Sequence, residues 1–427
     1  MRIIVSLLLA LLIAPLAAAE TSWVRAGRLV DVVEGRVLSD QLIRIEDGRF
    51  TEVRPYAEGL PPSDDIIDWS DFTVLPGLMD MHTHMVGDIA SSNVAAPLMS
   101  SQARDALLGA ANAHATLLAG FTTVRDVGAY RAYTDVALRD AINAGNVEGP
   151  RMYVSGAYIT VSRGGGEVSA LSPDVVIPDE FRRGVADSAD QVRQRVRELL
   201  AAGVDQIKVI ATGAVLTAGT NPGAPEYSEA ELRAAVDEAA TRGVYVAAHA
   251  HGAEGIHRAV RAGVRSIEHG SYLDAEGIRL MRRRPVWLVA DVYNGDYIDE
   301  IGRRDGWSEE VLRKNRETTQ TQRDGFRAAV RAGVRIAFGT DAWVFPHGEN
   351  ARQFAYMVQN GMTPMQAIQS ATINAAEMMG RADDIGSVRT GRRADLVAVR
   401  GDPLADVNLL YTDLVGVMKD GRVVRTP

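Results

Sequence analysis

The chain has 427 residues, 46% of them apolar and 24% charged, with no cysteine and a net charge of −9. That length supports a large core and more than one unit. Charges are mixed with no basic stripe, which argues against a nucleic-acid partner; the missing thiols exclude disulfides and any thiolate metal site.

The first residues read "MRIIVSLLLALLIAPLAAAE". Arg2 precedes an apolar run that ends in Ala17-Ala18-Ala19. This is the pattern of a cleaved export signal, residues 1–19, and the run is short for a membrane anchor. It predicts a periplasmic or secreted protein that leaves the membrane after cleavage. Residues 20–74 then read as short strands such as "WVRAGRLVDVV" and "QLIRIEDGRFTEVRP", with Asp47-Gly48 at a turn. Residues 385–427 look alike, with "ADLVAVRGDPL" and Asp420-Gly421. The two ends together predict a small discontinuous β-sandwich domain.

Residues 75–384 follow another rhythm. "AGFTTV", "AGVDQI", "RGVYVA", "AGVRSI" and "AGVRIA" each follow an amphipathic stretch. One such stretch, "SEAELRAAVDEAAT", opens with Ser228 and Glu231 spaced as a capping box. Each phrase is a helix, a glycine stop and an apolar strand. "LPGLMDMHTH", "RMYVSGAYIT" and "PVWLVADVY" supply three more strands. Eight strands alternating with helices predict an α/β fold, the (β/α)8 barrel. An open doubly wound sheet would want a glycine-rich nucleotide loop after an early strand, and none is evident.

In such a barrel, chemistry sits at the C-terminal ends of the strands. His82 and His84 end strand one, Lys208 lies on strand four, and His249 ends strand five with His251 just beyond. His269 ends strand six and Asp341 strand eight. Residues two apart on a strand share a face. His82 and His84 can then grip one ion beside Asp341, and His249 and His269 a second. Lys208 falls between the groups, where carbamylation by CO2 would turn a repelling cation into a bridging carboxylate. Buried histidines are commonly satisfied core residues, but here four of eight histidines and an aspartate fall at the ends of four strands. His251 is expected to turn into the pocket and meet a substrate carbonyl. His347, in "WVFPHGEN", lies in a loop on the same rim, as a cap or a substrate contact. Arg163 and Arg352 are candidates for a substrate carboxylate by charge and position.

The pieces "PGLMDMHTH", "IKVIATG", "AAHAHG", "SIEHGS", "FGTD" and "GRRADLVAVRGDPL" occur in this order across nearly all of the chain after residue 19. Together they resemble the amidohydrolase superfamily. The closest likeness is to its imidazolonepropionase-like branch, with exported Xaa-Pro and Xaa-Arg dipeptidases and ochratoxin-degrading amidases. The resemblance implies two divalent ions, zinc in this branch. His82, His84 and Asp341 would hold the more buried one and His249 and His269 the other, with a carbamate on Lys208 as bridge. Asp341 would shuttle the proton. It also implies a homo-oligomer, up to an octamer, and a small-molecule amide or dipeptide substrate that releases a C-terminal amino acid. Hydrolysis of ochratoxin A to ochratoxin alpha and Phe is one such reaction.

One stretch departs from the family pattern. Where the dipeptidases show a "TGGHG"-like turn, this chain has "VSRGGGEV", with Gly166 in place of the histidine. The expected consequence is a mobile loop, more room for a bulky acyl group and looser dipeptide specificity. The rival readings are a mononuclear deaminase or cyclic-amide hydrolase, which needs no Lys208, and a non-enzymatic binding protein on the same scaffold.

Overall fold

The computed structural model describes residues 21–56, 66–87, 93, 95–172 and 174–427. The expected export signal lies outside them. Four strands come first: β1 (Thr21–Asp31), β2 (Arg36–Glu46), β3 (Arg49–Pro55) and β4 (Ile66–Pro76). Short strands alternating with helices follow. They are β5 (Leu78–Thr83), β6 (Phe121–Asp126), β7 (Arg151–Tyr153), β8 (Tyr158–Ile159), β9 (Ile207–Ile210), β10 (Val246–Ala250), β11 (Ser266–His269) and β12 (Trp287–Val289). β13 (Leu396–Val399), β14 (Leu414–Lys419) and β15 (Arg422–Arg425) close the chain.

The helices start and stop as their residues dictate. The helix Glu229–Ala240 begins with the full capping box: Ser228 Oγ accepts from Glu231 N–H, and Glu231 accepts from Ser228 N–H. The helices Ala253–Ala262 and Glu309–Ala332 end at Gly263 and Gly333, whose φ values of 98° and 72° are left-handed. A side chain there would strain the stop.

The middle strands are all parallel and form two sheets, β5-β6-β7 and β12-β11-β10-β9-β8. Parallel strands covered on both faces are mostly apolar, and a polar residue buried there needs a partner. β5, β9, β10 and β11 are buried at every residue. The segment expected as the eighth strand bonds to both sheets. Leu288 pairs with Ile336 and Thr83 with Ala342, both parallel, and Met81 N–H donates to Phe338 O at 2.8 Å.

The third expected strand is interrupted. Its first half pairs with β6 and its second with β9. Between them Gly156 turns left-handed at φ 76°, and its N–H donates to Asp135 Oδ2 at 2.8 Å. A single continuous strand was the expectation; the glycine bend splits it between two sheets.

The terminal strands also differ in detail from the expected sandwich. Strands from both ends hydrogen-bond into one seven-stranded sheet, in the order β15-β14-β13-β4-β1-β2-β3. Residues 391–394 draw its far parts together. Phe50 N–H donates to Arg392 O at 2.9 Å, Ala394 N–H to Gly48 O at 2.8 Å and Gly421 N–H to Ala394 O at 2.9 Å. Trp69, Val24, Ile43, Phe50, Leu396 and Met418 fill its own apolar cluster, separate from the main core. Arg151, on β7, pairs with Asp395 at 2.9 Å and Asp420 at 2.6 Å and ties this sheet to the middle. Among the described residues no helix is long and apolar enough to cross a membrane.

Candidate metal centre

The "DMHTH" stretch is clamped before its histidines are placed. Asp80 is fully buried and accepts N–H bonds from His82 and Thr340, both at 3.1 Å, and an Asn350 Nδ2 bond at 2.8 Å. Burial pushes its carboxyl up to about 6 against these donors. The clamp joins β5 to the segment carrying Asp341.

His82 Nδ1 lies 2.9 Å from Glu268 Oε2, and His84 Nδ1 lies 2.7 Å from Gly128 O. Both partners accept, so each ring carries its proton on Nδ1 and turns an Nε2 lone pair inward. Those Nε2 atoms face the same oxygen, Asp341 Oδ1, at 3.4 and 3.2 Å. His82 Nε2 is buried and has no hydrogen-bond partner. Two lone pairs aimed at a carboxylate oxygen repel unless a cation lies among them. The donor set therefore fits a divalent ion, with its outer nitrogens held as metal-ligating imidazoles usually are.

A second set converges beside it. The rings of His249, His251 and His269 lie 4.5 to 4.7 Å apart, centroid to centroid. His249 Nε2 is 3.2 Å from Gly213 O, which leaves Nδ1 as its lone-pair atom. His251 Nδ1 meets Ser271 Oγ at 2.7 Å, and His269 Nδ1 meets Asp291 Oδ1 at 3.0 Å. Each of three trios offers ligand atoms within 4.8 Å of one another: His82, His84 and Asp341; His249, His251 and His269; His269, Asp291 and Asp341. His269 and Asp341 end their strands in left-handed backbone, φ 67° and 59°. Such strain is held where a side chain must be aimed.

Burial, with Lys208 and neighbouring imidazoles, holds His82, His249 and His251 well below the ordinary histidine value, in the neutral form that ligates. Burial acts against charge on His269 too, but the Asp291 carboxylate outweighs it and raises the ring above that value. Lys208 is 1% exposed. Burial lowers its ammonium to about 8 despite Glu268 and Asp341. A free amine is the form that adds CO2.

A model of the amidohydrolase family matches residues 73–426. The chain belongs to that family. It is 33% identical to ochratoxinase of Aspergillus niger over 371 residues, covering 83% of this chain and 76% of that protein. It is 25% identical to an imidazolonepropionase of Solibacter usitatus over 84% of both chains. Among solved structures, a Xaa-Pro dipeptidase with methionine bound in its active site matches with a TM-score of 0.89 at 36% identity, over 95% of this chain and all of that one. The crystal structure of A. niger ochratoxinase matches with a TM-score of 0.85 at 29% identity, over 96% of this chain and 97% of that one.

Both histidine sets and Lys208 line one open pocket with a cavity volume of about 100 Å³. His251 faces it beside His269, as expected of a strand-end residue that turns inward. Three expected contacts do not line it. Arg163 is exposed. Arg352 pairs with Glu349 at 2.9 Å and donates to Tyr411 Oη at 3.1 Å. His347 is a strap, its Nδ1 3.1 Å from Thr116 Oγ1 and its Nε2 3.0 Å from the His84 carbonyl.

The glycine loop differs most from expectation. Gly164, Gly165 and Gly166 are buried, and Gly165 N–H donates to both Glu226 oxygens at 3.0 Å. A Cβ on Gly166 would lie 2.7 Å from Ile210 Cγ1 and 3.0 Å from Tyr158 Cβ. The loop is a packed wall, and the missing side chain leaves no room, because the Ile210, Tyr158 and Thr160 side chains close over that position.

Asp80, Glu268, Asp291 and Asn294 escaped sequence reasoning. Asp291 sat at the end of the predicted seventh strand, the same kind of position as Asp341, so one rule covered both. Glu268 adjoins His269 in "SIEHG", but its contact with His82 is visible only across strands.

Proposed function

We propose that the chain is a binuclear metal-dependent amidohydrolase that releases a C-terminal amino acid from a dipeptide or an N-acyl amino acid. The observation that carries this is the pair of adjoining histidine sets, with Asp341 grouped with His82 and His84 on one side and with His269 on the other, and the amine of Lys208 on the same cavity. The likeness to ochratoxinase and to a Xaa-Pro dipeptidase holding methionine supports an amide substrate with an amino-acid leaving group. We also read the two parallel sheets as arcs of one barrel, supported by the bonds of residues 335–342 to both.

His82, His84 and Asp341 would hold one ion and His249 and His269 the other, with His251 beside them and carbamylated Lys208 between; zinc suits such nitrogen and oxygen ligands. Bound there, the metal supplies Lewis acidity and lowers the pKa of water. Asp341 takes the proton from the attacking water and delivers it to the departing nitrogen, which is a poor leaving group until protonated. Ile210, Val215, Leu216, Ile298 and Val344 line the cavity with apolar surface suited to an acyl or aryl group.

The test is metal content per chain by elemental analysis, together with Phe release from an N-acyl-phenylalanine. Two zinc ions with Phe release is the expected result; Lys208→Ala should bind one ion fewer and lose activity. One ion per chain without release would return the deaminase reading.

A further inference from the structure

Besides His82 Nε2, which faces Asp341, the described residues lining the cavity carry one buried side-chain acceptor that no protein group satisfies and that the proton shuttle does not use. Asn294 opens the helix Asn294–Arg304, is 4% exposed and lines the cavity. Its Nδ2 donates to Asp291 Oδ2 at 2.9 Å and to Asp341 Oδ2 at 3.4 Å. Carboxylate oxygens accept, so the amide must present its NH2 to them, and its orientation follows from chemistry. The carbonyl oxygen, Oδ1, is then directed away from both acids. It is buried and has no hydrogen-bond partner. An acceptor left so costs stability, and such costs are retained where a ligand repays them.

Asn294 therefore combines two properties. It touches the carboxylate that would deliver a proton to the leaving nitrogen, and it offers an acceptor from that same amide group. We infer that Asn294 Oδ1 accepts the N–H of the scissile amide, and so makes the protein selective for secondary amides over N-alkylated ones such as a prolyl bond. This rests on the amide-hydrolase reading above. In the step concerned, water oxygen bonds to the carbonyl carbon and the C–N bond breaks. Its electron pair stays on nitrogen, which takes the proton from Asp341, giving an acid and an amine. A secondary nitrogen keeps its original hydrogen throughout, and Asn294 can hold it as positive charge develops. An N-alkylated nitrogen carries only the delivered proton, directed at Asp341, and leaves Oδ1 unsatisfied.

The test uses the metal-loaded protein with N-benzoyl-phenylalanine and its N-methyl derivative. Wild type should favour the secondary amide by about tenfold or more in kcat/KM, and Asn294→Leu should bring the ratio to within about twofold, since a hydrogen bond to a charged or charging group is worth about that factor or more. The variant also loses the bond to Asp341, which slows both substrates alike; the ratio isolates the acceptor. Asn294→Ser, smaller and polar, repeats the comparison should the leucine not fold.

A second readout needs no turnover. Calorimetry on metal-free protein compares the amide with its ester isostere, which removes the N–H without adding bulk. The amide should bind several-fold more tightly to wild type and no more tightly to Asn294→Leu. Equal kcat/KM for both amides in wild type, or a ratio unchanged in the variant, overturns the inference while the hydrolase reading stands. No turnover of either amide, but an N–H preference in binding that Asn294→Leu abolishes, sinks the hydrolase reading and keeps the acceptor. Absence of both preferences overturns it outright.

Discussion

The two histidine sets adjoin in one cavity, the His82 and His269 rings 4.8 Å apart, yet the carboxylates behind them are held by different chemistry. His82 is backed by charge: Glu268 accepts from it and is itself gripped by Arg125 at 2.7 and 2.8 Å, both residues being fully buried. Asp80 adds a second buried anion behind the same strand. On the other side His249 leans on a backbone carbonyl and His251 on a hydroxyl, and only His269 has a carboxylate. A carboxylate partner raises imidazole basicity and fixes the ring more firmly than a neutral one. Each set thus has one imidazole backed by a carboxylate, and His84, like His249, leans on a backbone carbonyl; the difference is that Glu268 is held by the buried Arg125 cation, whereas Asp291 is held by the neutral amides of Gln322 and Asn294.

The largest expected effect comes from the group both sets share. Asp341→Asn should lower kcat by about 10³-fold, because it removes proton transfer as well as a ligand oxygen. Steady-state Phe release checks it, and a loss under about tenfold would remove Asp341 from the shuttle.

The next tests separate the halves. Glu268→Gln should weaken metal binding at the His82 side by about 10- to 100-fold. It should also cost about 3 kcal/mol in stability, since Arg125 is left without its counter-charge in a buried site. Ser271→Ala, the matching change behind His251, should cost no more than about tenfold in metal affinity. Competition against a chromophoric chelator measures both. Equal losses would dissolve the distinction between a charged and a neutral backing.

Acid should act on the metal-free protein through the same contrast. Burial lowers His82, His249 and His251 in the folded state, so the unfolded chain takes up protons at these positions first once the pH falls below ~6.5. Their contribution to stability is present above that value and lost below it. His269 works in the other sense: raised by Asp291, its charged form stabilises below ~6.5 and is lost as pH climbs through its folded value. Three groups oppose one, so urea midpoints of the metal-free protein should fall as the pH drops from 7 toward 5 (about two units across the histidine range). Asp291→Asn should steepen that fall and bring the His269 titration, followed by NMR, below the ordinary histidine value. A midpoint that rises on acidification would contradict the burial of neutral imidazoles.

The smallest effect is expected outside the cavity. Arg163→Ala and Arg352→Ala should leave KM within about twofold, as surface substitutions usually do. A large rise in KM would show that either side chain swings inward to meet substrate.

What was legible in the chain and what was not divides along the range of the interactions. Helix starts, glycine stops, buried strands, the strand-end placement of His82, His84, His249, His269 and Asp341, and Lys208 within its strand depend on near neighbours and on period, and these are written locally. The split of the third strand at Gly156 was not, because its two halves answer to different partner strands. The packed glycine loop was misread for a related reason: three glycines locally mean freedom, and only Ile210 and Glu226, distant in sequence, show that their missing side chains let other side chains close on the loop backbone. Arg163 and Arg352 had the right charge, but direction is decided by their surroundings.

By itself the sequence determined the family, the alternation of strand and helix, and which residue types meet at the strand ends, because those follow from short-range pattern and composition. Only the tertiary structure decided which nitrogen of each imidazole is free, which acids stand behind them, and that Asn294 presents an unsatisfied acceptor. Most of these are set by hydrogen bonds between residues tens to hundreds of positions apart (His82 and Glu268 are separated by 186), and no local preference encodes such a bond; Asn294 combines a bond to Asp291, three positions away, with one to Asp341, 47 away.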